Sequence, residues 1–166
     1  WSSDVCSSDL VDIASNDISA AKHVMPHLSN QLRVIDPKPA AGQRYFDEDM
    51  DIVISIQTLD FLSDTDFNTA IGNLYENMKP GAKIYASMNR WDMYYRQHAH
   101  YADDGLWHVC FHNDRVDYDL YLQFVKDKDD MRRRFSLFKP IYIDHYDSSF
   151  REEGSEFRYT FFGMKE

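Results

Sequence analysis

Three parts of this chain carry residues able to do chemistry. His108, Cys110 and His112 alternate along one short run, so on a strand all three side chains share a face. Imidazole and thiolate are good zinc ligands. No fourth ligand stands nearby in the sequence, and Trp107, Val109 and Phe111 give the opposite face an apolar surface, so no metal is expected. From Arg90 to Asp104 the chain is crowded with rings: Trp91, Tyr94, Tyr95, His98, His100 and Tyr101. These could stack on a small planar or apolar ligand, with His98 or His100 taking a proton. The competing reading makes them core and surface of a helix over a sheet edge. Gln57–Thr58 and Asn89–Arg90 end two apolar runs, where parallel strands joined by a helix present ligand sites.

The elements that must hold these residues follow from patterning. Ile52–Ile56 and Lys83–Met88 lack clean apolar/polar alternation, as strands covered on both faces do. Between them, Phe67, Ile71, Leu74 and Met78 recur every three or four residues, which predicts a helix ended by Pro80–Gly81. This is one β-α-β unit. Upstream, Val11–Ile13 reads as the end of a strand and Ser15 or Asn16 as a helix cap, with Ile18, Ala21, Met25 and Leu28 inward. Gln31–Ile35 is a short strand ending at Asp36–Pro37. The order β, α, β, β, α, β is that of a wound α/β domain.

Beyond Asn89 the period changes to two. Trp107–His112 and Arg115–Val125 alternate, and the second places Val116, Tyr118, Leu120, Leu122 and Phe124 on one face. Lys126–Asp130 is expected to turn the chain into an antiparallel partner strand, Arg132–Phe138. Arg132–Arg134 is then a solvated hairpin face or, less simply, an anion site. Pro140–Tyr146 and Glu156–Met164 form a last strand pair about a Glu153–Gly154 turn.

Composition sets the outer bounds. At 166 residues, 43% hydrophobic and 15% aromatic, the chain suits one domain with a real core. Its net charge is −10, and an acidic surface repels phosphate backbones, so nucleic acid is not an expected partner. No run approaches the ~20 apolar residues that span a bilayer, and no membrane association is expected. The first ten residues, WSSDVCSSDL, resemble the translation of a common sequencing-adaptor oligonucleotide and are expected to be non-native. Without Asp4 and Asp9 the charge is −8, and without Cys6 one thiol, Cys110, remains. A single thiol favours a reducing cytoplasm.

Several strings together resemble the class I S-adenosylmethionine-dependent methyltransferases over Val11–Asn89, and again at the final strand pair. VDIASNDISAAK is similar to the family's second strand and following helix, SIQTLDFL to its post-fourth-strand segment, and MKPGAKIYAS to its turn into the fifth strand. The resemblance implies an α/β Rossmann-like methyltransferase sheet with S-adenosylmethionine as cofactor. It implies that Asp12 accepts the ribose hydroxyls, with Asp17 as rival placement, and that Ile13 packs on the adenine. Asp36, with Pro37, would border the adenine amino group or simply form a turn. Gln57 and Thr58 would line the methionine end. Trp91, Tyr94, Tyr95 and His98 would approach a small-molecule acceptor, and no catalytic residue is assigned. Residues 90–134 would be an antiparallel, substrate-side insertion after the fifth strand. Tyr75 and Lys79 have the spacing used by short-chain dehydrogenases, but Pro80–Gly81 ends the helix at once and chance explains the pair better.

The resemblance also has a gap. The family's glycine-rich loop follows its first strand, and nothing like it occurs here, so residues 11–166 are expected to be a methyltransferase domain lacking that strand. Such a fragment is expected neither to fold cooperatively nor to be active, because buried strand edges would lose their partners. A non-catalytic methyltransferase-like binding module is the alternative, and a nicotinamide-dependent Rossmann enzyme the third reading.

Overall fold

The structure is a computed structural model and describes residues 9–112, 117–148 and 154–166. Strand β1 (Leu10–Asp12) leads into helix α1 (Ser15–Val24), and a 3₁₀ segment, Pro26–Gln31, returns the chain to β2 (Leu32–Val34). β1 and β2 pair in parallel, with Leu10 opposite Leu32 and Asp12 opposite Val34. Leu10, from the adaptor-like string, therefore takes part in a strand. α1 starts where expected, but its cap is the backbone of Ala14 rather than the side chain of Ser15 or Asn16. Of its expected inner face only Ile18 is fully buried, and Met25 and Leu28 fall beyond the helix.

β3 (Met50–Ile56), α2 (Asp64–Glu76) and β4 (Met78–Asn89) form the expected parallel β-α-β unit. Ser63 caps α2 by accepting the Asp66 N–H, and two acidic residues in its first turn complement the helix dipole. The helix stops at Asn77, so Met78 belongs to β4 and Pro80–Gly81 is no helix end. Gly81 instead sits inside β4 at φ +80°, beside a register shift between the Met50 and Ile52 pairings. Its N–H donates to the carbonyl of Lys165. A left-handed residue at a bulge is a place for glycine, and that explains the string better than a cap does.

β5 (Ala99–Asp103), β6 (Leu106–His112) and β7 (Asp117–Leu122) make a separate antiparallel sheet. Trp107, Val109 and Phe111 of β6 join Tyr118, Leu120, Leu122 and Phe124 in one cluster, as the alternation predicted. Arg115, Val116 and Glu153 lie outside the described residues. The expected strand over Arg132–Phe138 is absent, because Lys128–Arg134 is helix α3. Asp127 caps it through the Asp130 N–H, acids occupy its first turn and arginines its last. Met131, Phe135 and Phe138, spaced four and three apart, are buried against the main sheet. Period four, not two, governs this segment.

β8 (Lys139–Asp147) and β9 (Phe157–Met164) complete a four-stranded sheet in the order β3-β4-β9-β8, with β9 antiparallel to both neighbours. α2 and α3 cover one face of it. Phe135 stacks on Phe161 at 4.5 Å and meets Phe67 edge-on at 5.6 Å. The opposite face is open. Ile54, Tyr85, Phe162 and Tyr142 stand side by side across four strands, and Ile54 is 68% exposed. Ile52 and Ile56 flank it, also exposed. Among the described residues β3 pairs with β4 alone, and no ladder joins β1–β2 to the larger sheet.

Candidate functional site

The parallel strands end together. Gln57 follows β3 and Asn89 closes β4, and between them the 3₁₀ turn Leu59–Phe61 folds over the strand ends. Gln57 adopts φ +54°, unusual for a residue with a Cβ, and its N–H donates to Ser87 Oγ. Thr58 turns its hydroxyl back to donate to the Ile56 carbonyl.

Asp60 lies in that turn and is 1% exposed. Its Oδ1 accepts the Asn89 N–H at 2.8 Å, and its own carbonyl accepts the Gln123 N–H at 2.7 Å. Arg158 of β9 reaches in from the neighbouring strand. Its Nη1 donates to Asn89 Oδ1 at 2.6 Å and stands 3.8 Å from Asp60 Oδ2, while Nη2 donates to Glu156 at 3.4 Å. Oδ2 of Asp60 has no hydrogen-bond partner among the described residues. Burial, only partly offset by the Asn89 N–H and by Arg158 and Arg134, pushes the Asp60 carboxyl up to about 7. Beneath it, Gln123 and Arg134 fix the turn from below: Gln123 Nε2 and Arg134 Nη1 both donate to Asp64 Oδ1 at 3.1 Å. Arg134 is thus a half-buried network member and not part of a solvated hairpin face.

These groups border a cavity of about 100 Å³ between the main sheet and the β5–β7 sheet. Gln57, Asp60, Asn89 and Arg158 form its polar wall, and Phe61, Val109, Leu120 and Leu122 its apolar one. Of the aromatic candidates, Tyr95 lines this cavity. Trp91 and Tyr94 border a separate depression of about 470 Å³ with Arg96, whose guanidinium lies 4.0 Å from the Trp91 ring and 3.5 Å from the Trp107 ring. His98 lines neither. It packs between Tyr94 and Phe111, with Nε2 buried and no hydrogen-bond partner among the described residues, so packing accounts for its place in the sequence.

At the other sheet, Asp12 ends β1 with Oδ1 accepting the Ala14 N–H at 2.8 Å, and Ile13 beside it is exposed. Asp17 is exposed in the first turn of α1. Asp36 accepts the Lys38 N–H at 2.8 Å, which is a turn-forming contact, and Pro37 is exposed. Asp12 and Asp36 are therefore gathered at one sheet end, and Gln57 with Thr58 at another. His108, Cys110 and His112 do share one face of β6, with His108 bonded to Asp119 at 2.6 Å and His112 to Asp117, and the described residues contain no metal-binding group.

No protein-family model matches the chain, and no curated protein matches it. Solved structures do. A S-adenosylmethionine-dependent methyltransferase from Methanosarcina mazei superposes with a TM-score of 0.70 at 15% identity, over 93% of this chain and 80% of that one. The fold is methyltransferase-like. A second such enzyme, from Clostridium acetobutylicum, gives 0.61 at 15% identity over 93% and 73%. The glycopeptide N-methyltransferase MtfA, complexed with S-adenosylmethionine, gives 0.62 at 13% identity over 94% and 76%.

Asp60, Arg158 and Glu156 were not singled out by sequence reasoning. Their signal was there: an acid between Leu59 and Phe61, and a Glu-x-Arg pair entering a strand otherwise full of aromatics.

Proposed function

We propose that this chain is part of a S-adenosylmethionine-dependent methyltransferase that acts on a small-molecule acceptor. The observation that carries the reading is the placement of Asp12 and Gln57 at the carboxyl ends of parallel strands in a methyltransferase-like fold. That is where wound α/β sheets bind ligands. The donor set suits the cofactor. Asp12 offers a carboxylate whose one oxygen is already fixed by backbone, leaving the other to accept ribose hydroxyls. Ile13 gives an exposed apolar surface for adenine, Asp36 and Pro37 flank it, and Gln57 and Thr58 serve the methionine end. When bound, the cofactor supplies an activated methyl group on a sulfonium. The protein's part is to orient the acceptor and exclude water, which falls to Tyr95 in the cavity and to Trp91 and Tyr94 at the separate depression.

We further propose an upstream strand and glycine-rich loop in the natural protein, with residues 1–10 non-native. Among the described residues, the unpaired edge of β3, the exposed Ile52, Ile54 and Ile56, and the separation of β1–β2 support it. On this reading the 166-residue fragment is inactive by itself. A reducing cytoplasm suits the free Cys110, and no helix among the described residues is long and apolar enough to cross a membrane.

Calorimetric titration of the full-length protein with S-adenosylhomocysteine tests the reading. Micromolar binding is expected, weakened about tenfold or more in Asp12→Ala. Absence of binding would favour the non-catalytic module instead.

A further inference from the structure

Cofactor contacts at the strand ends leave the Asp60 side of the Tyr95 cavity without a role. We propose that it seats the methyl acceptor as an amine, with Asp60 holding the ammonium through Oδ2 and taking its proton. This rests on the methyltransferase reading above.

The carboxylate is built for a donor. Asp60 is almost fully buried and borders the cavity, its Oδ1 is fixed by the Asn89 N–H, and its Oδ2 has no hydrogen bond among the described residues. A buried acceptor left unpaired is costly, and a ligand N–H removes that cost. The wall charges select the sign of the ligand. Among the described lining residues Asp60 and Glu156 are acidic and Arg158 alone is basic, and Arg158 is already engaged by Asn89 and Glu156. An anionic acceptor would meet two carboxylates and a cation already paired. A neutral hydroxyl could donate to Oδ2, but a charged donor bonds a carboxylate more strongly. Phe61, Val109, Leu120 and Leu122 leave room only for a small apolar body behind the nitrogen.

Proton transfer fits the same geometry. Arg158 on β9, Arg134 on α3 and the Asn89 N–H on β4 favour the ionised carboxylate, burial opposes it, and Asp64 and Glu156 hold the two arginines. The balance leaves Asp60 able to lose and accept a proton near neutral pH. An ammonium N–H proton passes to Oδ2, and its bonding pair stays on nitrogen as a lone pair. That pair forms the new N–C bond as the methyl–sulfur bond breaks, its electrons going to sulfur to leave a neutral thioether. The product departs as a methylated ammonium, and Asp60 returns the proton to solvent.

The test is an NMR titration of the full-length protein with benzylamine and with benzyl alcohol, its isosteric control, with and without S-adenosylhomocysteine. At pH 8 the amine should bind at least about tenfold tighter than the alcohol, as charge-assisted bonding predicts. The preference should shrink at pH 5.5, where Asp60 is neutral. Asp60→Asn should abolish the preference while leaving alcohol and S-adenosylhomocysteine binding in place. If that variant does not fold, the pH dependence of the native protein decides. Equal affinity for the two probes, no amine binding, or a preference that survives in Asp60→Asn overturns the proposal. An amine preference without S-adenosylhomocysteine binding would instead sink the methyltransferase reading and keep the amine site.

Discussion

Asp60 links the site to the stability of the protein. Its carboxyl ionises near 3.8 when unfolded and about 7 when folded, so the folded state holds the proton longer. The stability that the neutral form contributes is fully present below about pH 4 and is lost as pH rises to about 7. Asp60→Asn keeps the shape and removes the charge. It should melt higher than the native protein at pH 8, by on the order of a few kcal/mol, with the gain fading towards pH 4. Equal melting at pH 8, or a gain confined to acid, would refute the assignment. A residue that costs stability at neutral pH marks a site where function outweighs packing. Asp60 was hidden in the sequence because one acid among Leu59, Phe61 and Leu62 reads as a turn, and only the fold brings Arg158 to it.

Elements were legible where a single period ruled. The β3-α2-β4 unit and the alternating faces of β6 and β7 follow from spacing alone. α3 was misread because its charged surface, Asp127 to Arg134, masks three buried residues, of which two lie at or beyond its end. Lys79–Pro80–Gly81 was misread because a glycine at positive φ serves a bulge as well as a cap. β3 carries its own prediction. In the full-length protein the open face at Ile54 should be covered, and Ile54→Asp should then cost about 2–5 kcal/mol, as loss of a buried aliphatic does. In the 166-residue chain, where Ile54 is exposed, the same change should be nearly neutral and the melt broad. A sharp two-state melt of the short chain would contradict the upstream strand, and a neutral Ile54→Asp in the long one would contradict a cover over this face.

At the scale of the whole molecule, parallel strands close at Asp12 in one sheet and at Gln57 in another, and the cavity walled by Asp60 lies between the Gln57 end and the separate antiparallel sheet. The order β3-β4-β9-β8 comes from the structure; the β3-α2-β4 unit and the final strand pair could be anticipated. The cavity could not, since it lies between residues far apart in sequence. The most direct measurement is ultraviolet cross-linking of methyl-labelled S-adenosylmethionine to the full-length protein, with the labelled peptides mapped. Label on the peptides holding Asp12 and Gln57–Asp60, lost in Asp12→Ala, is the predicted result. Label elsewhere, or labelling that Asp12→Ala leaves unchanged, would contradict it.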